Sequence, residues 1–288
     1  MQEMLPSFAD KFSKFKVKFL IGFWLFISLI VLNFSFPILH SIYSIMKAQV
    51  SFYKIEIEEN NAKYLRVETM PSPWVPLSKI SKKLQGAIIS SEDGKFYFHS
   101  GYDPEQLQKA FESTFVLKKK MRGGSTITQQ LVKNLFLNKN KNLARKGIEL
   151  MMAVMYEKHS DKNKILETYL NIIEYGKGLY GIGPASQFYF NKSPDKLTAR
   201  ESAFLAMLLP SPVKYSKSFK QKFLTPFALR IIDSILLKMK QGGYIGDVEY
   251  EAALTTSFNW ERANPDLLKE RKNTSEEDLL NDSEQESE

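Results

Sequence analysis

Residues 90–103 read SSEDGKFYFHSGYD, which puts an acid pair, three aromatics, a histidine and a glycine turn into one short stretch. Just ahead, Leu84, Ala87, Ile88 and Ile89 recur at helical spacing. The pattern predicts a helix that gives out at Glu92-Asp93, so that one carboxylate projects into a cleft while Phe96, Tyr97 and Phe98 screen it from water. Screening disfavours the charged carboxylate, raises its pKa and makes it a usable general acid or base. Taken alone, the stretch reads equally well as a solvated helix end beside ordinary core aromatics. Glu92 is the residue on which the two readings differ.

A second stretch lies about thirty residues on, where residues 122–130 read RGGSTITQQ. Gly123-Gly124 predicts a turn, and Ser125 or Thr126 opens a helix whose Ile127, Leu131 and Leu135 face inward. Free amides at such a start, reinforced by the hydroxyls, offer a seat for phosphate oxygens. Gln129 and Gln130 present neutral amides that can read sugar hydroxyls and N-acetyl groups as donor and acceptor.

Together, EDGKFYFH and RGGSTITQQ resemble the two leading motifs of the peptidoglycan glycosyltransferases (glycosyltransferase family 51), which polymerise a lipid-linked disaccharide-pentapeptide into glycan strands. PWVPLSKISKKLQGAII before them, and RKGIELMMAVMYEKHSDKNKILETYLN, GLYGIGPASQFYFNKS and ESAFLAMLLPSP after them, keep the family's order over about Pro73 to Leu254. The likeness is closest to the monofunctional biosynthetic transglycosylases of Gram-negative bacteria. It implies a mainly α fold: a lysozyme-like, two-lobed glycosyltransferase domain preceded by one N-terminal transmembrane helix.

By resemblance, Glu92 is the general base on the attacking 4-hydroxyl of lipid II, and Glu149, in the RKxxE pattern, is the second acid, near the departing phosphate. From the residues alone, Glu149 reads as the i, i+4 ion-pair partner of Arg145. Substrate-binding positions carried over are Ser125, Thr126, Gln129, Gln130, Lys133, Lys141, Arg145, Lys146 and Asn171. Lys141 departs from the family, which commonly has arginine there, and keeps the charge without the bidentate fork. Gly183 and Pro184 replace the usual acid and alanine. No cofactor is required and no protein metal site is expected, though a divalent cation (Mg or Mn) is compatible with the pyrophosphate.

Composition frames this reading. The chain has 288 residues, 43% of them hydrophobic, no cysteine and a net charge of +8. The stretch from Pro265 to Glu288 holds nine acidic residues against three basic ones, a net of −6, so the remainder carries +14. That balance favours an anionic partner such as lipid head groups or a pyrophosphate. Nucleic acid has only the charge in its favour and is not expected.

Along the chain, residues 1–18 form a basic cytoplasmic segment with Lys11, Lys14, Lys16 and Lys18. The apolar run that follows can span a bilayer core, which needs about 20 apolar residues in helix, and 19–43 is expected to be the anchor. Basic flanks stay inside, which puts the catalytic domain on the periplasmic side of a bacterial inner membrane. Residues 44–72 predict a stalk or hairpin turning at Asn60-Asn61, 73–256 the glycosyltransferase domain, and 257–288 an acidic tail too polar to order itself. Ser78 is expected to cap the helix leading to Glu92. Asp103-Pro104 opens a helix whose aromatics and Lys118, Lys119 and Lys120 make an interfacial segment over Phe111–Lys120. On the helix from Ala144 to His159, the stripe Ile148, Met151, Met152, Met155 and Tyr156 is expected in the core. Ser160 is expected to cap the helix after it.

The expected partners are lipid II, the growing strand and the membrane, with penicillin-binding transpeptidases admitted. Rival readings are a membrane-anchored lysozyme-like hydrolase or lytic transglycosylase, and an inactive glycan-binding scaffold.

Overall fold

The computed structural model describes residues 24–25, 40–59, 61–111, 124–137 and 143–261. The chain divides into two units, Met1–Met46 and Lys47–Glu288. In the first, residues 40–46 are helical. Among the described residues no helix is long and apolar enough to cross a membrane. Most of the expected anchor, the lysines of the interfacial segment, Lys141, and the acidic tail beyond residue 261 lie outside the described residues.

The second unit is mainly helical and opens with a hairpin. Strand β1 (Phe52–Glu58) pairs antiparallel with β2 (Asn61–Val67), Phe52 opposite Val67 and Glu58 opposite Asn61. Asn61 is thus the first residue of β2 and not part of the turn, which falls on Glu59 at φ 49°. Pairing of Tyr53, Ile55 and Ile57 with Arg66, Tyr64 and Ala62 imposes that register. The hairpin rests on helix α5 (Lys162–Ile172): the Tyr64 hydroxyl donates to the Ile172 carbonyl at 3.4 Å, and the Lys164 ammonium sits 3.8 Å from the Phe52 ring centre.

Helix α1 (Lys82–Glu92) starts later than its sequence suggests. Ser81, not Ser78, is the cap, its hydroxyl accepting from Leu84 N at 3.1 Å. Ser78 lies in a separate 3₁₀ turn, Leu77–Lys79, held by Glu167, which accepts from Leu77 N, and by the Gln85 amide, which donates to the Leu77 and Ile80 carbonyls. The apolar face of α1, Leu84, Ala87, Ile88 and Ile89, is buried. It packs against α7 (Ala199–Leu208) and α10 (Pro226–Gln241). All ten residues of α7 are buried, and its start carries a Thr198–Glu201 capping box. Thr225 and Pro226 start α10, which stops at Gly242.

A second group of helices carries the remaining site residues. Helix α2 (Pro104–Phe111) begins at Asp103, whose Oδ1 accepts from the amides of Glu105 and Gln106. Helix α3 (Ile127–Phe136) packs on α4 (Leu143–His159) and on α5. Asp161 caps α5, accepting from Lys164 N at 2.9 Å, so the cap is one residue beyond the expected Ser160. A two-strand ladder, β3 (Glu174–Gly176) with β4 (Leu179–Tyr180), leads into α6 (Ile182–Phe190). Short helices α8 (Pro212–Tyr215), α9 (Lys217–Gln221) and α11 (Asp247–Thr255) complete the unit.

Candidate functional site

Glu92 is the last residue of α1 and is half-buried. Desolvation pushes its carboxyl above the ordinary range, opposed by the Gln130 hydrogen bond and the Lys133 charge. Of the three aromatics expected to screen it, Phe96 alone is buried, while Tyr97 and Phe98 are exposed. A half-turn puts Phe96 into the core and leaves its neighbours on the surface.

The next residue fixes the geometry of the site. Asp93 is 1% exposed. Its Oδ2 accepts from Ile127 N at 2.9 Å, and its two oxygens accept from His99 Nε2 at 2.9 and 3.1 Å. A buried carboxylate on the first amide of a helix is favoured by both the hydrogen bond and the dipole. Asp93 therefore ties the end of α1 to the start of α3, and α3 carries Gln130 and Lys133.

The start of α3 is a complete capping box. Thr126 Oγ1 accepts from Gln129 N and donates to the Gly101 carbonyl, and Gln129 Oε1 accepts from Thr126 N. Gly101 has φ 90°, and a Cβ there would meet Val154 N of α4 at 2.7 Å, so glycine lets the loop come this close. Of the α3 amides expected to seat phosphate, two are already taken: Asp93 accepts from Ile127 N and Thr126 Oγ1 from Gln129 N. Thr126 and Gln129 are buried, and the Thr126 hydroxyl and the Gln129 amide oxygen both serve the cap. Ser125 is not the cap; its Oγ accepts from Lys146 Nζ at 2.8 Å.

Helix α4 buries Met152 and Tyr156 as expected, but Ile148 and Met151, also expected in the core, are 44% and 56% exposed, whereas Glu149 is 2% exposed. Lys146 Nζ donates to Glu149 Oε1 at 2.5 Å, and Arg145 lies 3.7 Å from its other oxygen. The buried acid is thus accommodated by two cations from its own helix. Lys133, on α3, feels the charges of Glu149, Lys146, Arg145 and Glu92, and burial pushes its pKa down. Its ammonium makes no hydrogen bond or ion pair among the described residues.

The structure therefore gathers Glu92, Gln130, Lys133, Ser125, Arg145, Lys146 and Glu149 around the facing surfaces of α1, α3 and α4. Gln130 Nε2 donates to Glu92 Oε2 at 2.7 Å. Asn171 has a different occupation: its Oδ1 accepts from Val75 N, and its Nδ2 donates to the carbonyls of Val75 and Glu167. That amide pins the domain entry to α5. Gly181, at φ 82°, brings the loop before α6 against the Asn171 carbonyl, where a Cβ would lie 2.8 Å away. Gly183 and Pro184 follow on α6, where Gly183 abuts Val75 and Pro73.

Three residues went without a role in the sequence reading: Asp93, His99 and Tyr169. The signal for the first two was present, since His99 stands six residues after Asp93 inside the motif. Nothing local marks Tyr169, whose hydroxyl donates to Gln130 Oε1 at 2.9 Å.

This arrangement pairs a desolvated carboxylate with a cluster of cations, and the sequence that builds it has a known counterpart. The transglycosylase family model matches residues 59–239, from the hairpin through most of α10. The chain belongs to the transglycosylase family. Its relatives include a biosynthetic peptidoglycan transglycosylase of Paraburkholderia xenovorans (strain LB400), 48% identical over 139 residues, which are 48% of this chain and 58% of the relative. Another, from Aromatoleum aromaticum, is 41% identical over 172 residues, 60% of this chain and 74% of the relative. A third, from Caulobacter vibrioides, is 48% identical over 142 residues, 49% of this chain and 62% of the relative. The matches thus span between just over half and about three quarters of these relatives' length.

Proposed function

We propose that this transglycosylase polymerises lipid II into β-1,4-linked glycan strands with release of undecaprenyl pyrophosphate, by an inverting displacement at the anomeric carbon. The observation that carries the reading is the pairing of a desolvated Glu92 with a cluster of Lys133, Arg145 and Lys146 around a second, buried glutamate. A base with a raised pKa removes the proton of the attacking 4-hydroxyl near neutral pH. The leaving pyrophosphate carries at least two negative charges, which Lys133, Arg145 and Lys146 are suited to meet, with Ser125 beside them.

In this scheme Glu149 holds Lys146 and Arg145 in place until the pyrophosphate's own charge competes for them. Charge neutralisation is derived from these cations. Among the described residues no group of three or more His, Cys, Asp or Glu could hold a metal, and the one buried acid beside the cations is already paired. A divalent cation arriving with the pyrophosphate is compatible with the scheme, and no step passes through it.

The two-lobed, lysozyme-like arrangement, the anchor over residues 19–43, the periplasmic placement and contact with penicillin-binding transpeptidases belong to the same proposal. The anchor and its orientation are supported by the apolar run after four lysines, and the two lobes and the transpeptidase contact by the family resemblance. Incubating the detergent-solubilised protein with lipid-linked disaccharide-pentapeptide tests the function. Long glycan strands are expected. Short muropeptides would point to a hydrolase, and an unchanged substrate to a scaffold.

A further inference from the structure

A carboxylate can take a proton on either oxygen, and the surroundings of Glu92 distinguish the two. Oε2 accepts from Gln130 Nε2 at 2.7 Å. Among the described residues no donor reaches Oε1. The direction of the Gln130 amide follows from chemistry: an ionised carboxylate only accepts, so it must face the NH₂ group, which leaves the amide oxygen needing a donor. That donor is the Tyr169 hydroxyl, 2.9 Å from Oε1 of Gln130. Tyr169 is 1% exposed, on α5, with no access to a substrate. Its phenol stays protonated, since burial and the negative charges of Glu92 and Asp93 push its pKa well above the ordinary value.

We propose that Tyr169 is a positioning residue for the base: through Gln130 it locks Oε2 of Glu92 and so leaves Oε1 as the atom that receives the hydroxyl proton. This rests on the reading of Glu92 as general base. A phenylalanine would fill the same space, so the tyrosine oxygen is separable from its ring. Without the hydroxyl, the Gln130 carbonyl loses its partner and the amide is free to turn. The carboxylate then loses a fixed donor, and its two oxygens exchange roles.

The sign of the pH effect follows. Gln130 donates to the charged form of Glu92 and lowers its pKa, so loosening that bond raises it. The base acts deprotonated, and the acidic limb of the rate profile moves to higher pH. Among the described residues, the other groups that act on Glu92 are Lys133 on α3, Asp93 beside it in the chain and Tyr169 on α5. Tyr169→Phe leaves Lys133 and Asp93 in place, so the shift isolates the hydrogen-bonded chain.

The test uses the full-length, detergent-solubilised protein with lipid-linked disaccharide-pentapeptide. For Tyr169→Phe we expect kcat lower by about tenfold, the scale of one net hydrogen bond, KM little changed, and the acidic limb displaced upward. Gln130→Ala should displace the limb in the same direction, and the double variant should be no slower than Gln130→Ala alone, because both act through one chain. Parent values of kcat and of the limb in Tyr169→Phe would overturn the inference, as would fully additive losses in the double variant. If Tyr169→Phe misfolds by circular dichroism, an unmoved limb in Gln130→Ala overturns it equally. Failure of the parent itself to polymerise would instead overturn the proposed function. A working parent with an inactive Glu92→Gln and an unaffected Tyr169→Phe would sink the positioning role alone.

Discussion

At the scale of the residue, the site depends on keeping one carboxylate uncomfortable. Glu92 has its pKa raised by desolvation, so its folded-state value lies above its unfolded one. Protonation therefore favours the fold: its stability contribution is fully present below the unfolded pKa and is lost as pH rises through the raised folded value. Glu92→Gln, which cannot ionise, should match or exceed the parent's thermal midpoint at neutral pH, with the difference closing below the unfolded carboxyl range. Thermal unfolding at several pH values checks this, and a midpoint well below the parent's at neutral pH would contradict it. Glu149 is a different acid. It is 2% exposed and held by Lys146 at 2.5 Å. Lys146→Ala should cut turnover steeply and also destabilise the fold, because removing one partner of a buried ion pair typically costs about 3–5 kcal/mol, lessened here by the remaining Arg145. Denaturant unfolding together with a polymerisation rate separates the two effects. Lys141, outside the described residues, is a proposed pyrophosphate contact, and Lys141→Ala should slow the reaction by roughly 10- to 100-fold if it makes a charge-assisted bond.

At the scale of the element, α3 is positioned from outside itself. Its first amide is held by Asp93, 34 residues away, and its Thr128 hydroxyl donates to Glu157 on α4 at 2.6 Å. Glu157 also accepts from Lys162 at 2.8 Å, and that ammonium stands 4.5 Å from the Phe96 ring centre. Asp93→Ala should therefore cost about 1–3 kcal/mol for the stripped Ile127 amide. It should also lower turnover, since Gln130 and Lys133 move with α3. Glu157→Ala should show a comparable loss of stability in denaturant midpoint.

These elements also show what was legible in the sequence. A helix start at Ser125 or Thr126 was legible, though not the capping box that Thr126 forms with Gln129, and both glutamates stood inside recognisable motifs. The α1 face was legible from Leu84, Ala87, Ile88 and Ile89. The inward face of α4 was legible only in part: Met152 and Tyr156 are buried as periodicity predicts, but periodicity also ranks Ile148 and Met151 as core and a glutamate as surface. The cation pair that accommodates Glu149 reverses that ranking. The shifts from Ser78 to Ser81 and from Ser160 to Asp161 have a similar origin: several residues nearby could cap, and tertiary bonds such as Glu167 to Leu77 N decide between them. Asn171 was carried over from the family as a substrate-binding position, and nothing near it in the chain marks its hydrogen bond with Val75, 96 residues away. The Tyr169–Gln130–Glu92 chain joins three helices and has no local signature at all.

At the scale of the whole molecule, a mainly helical unit, residues 47 onward, follows in the chain an apolar N-terminal run with four lysines before it. A reporter active only outside the cytoplasm, fused after residue 50, should be active, and a cytoplasm-only reporter at the same point silent. The opposite pair of results would reverse the proposed orientation. The central claim, that Glu92 is the base of a polymerising transferase, is tested most directly by comparing the rate of glycan strand formation from lipid-linked disaccharide-pentapeptide for the parent and Glu92→Gln at neutral pH. The account expects long strands from the parent and a loss of about 10²- to 10⁴-fold in the variant, the usual weight of general-base catalysis. A folded Glu92→Gln protein that keeps more than about a tenth of the parent rate would contradict it.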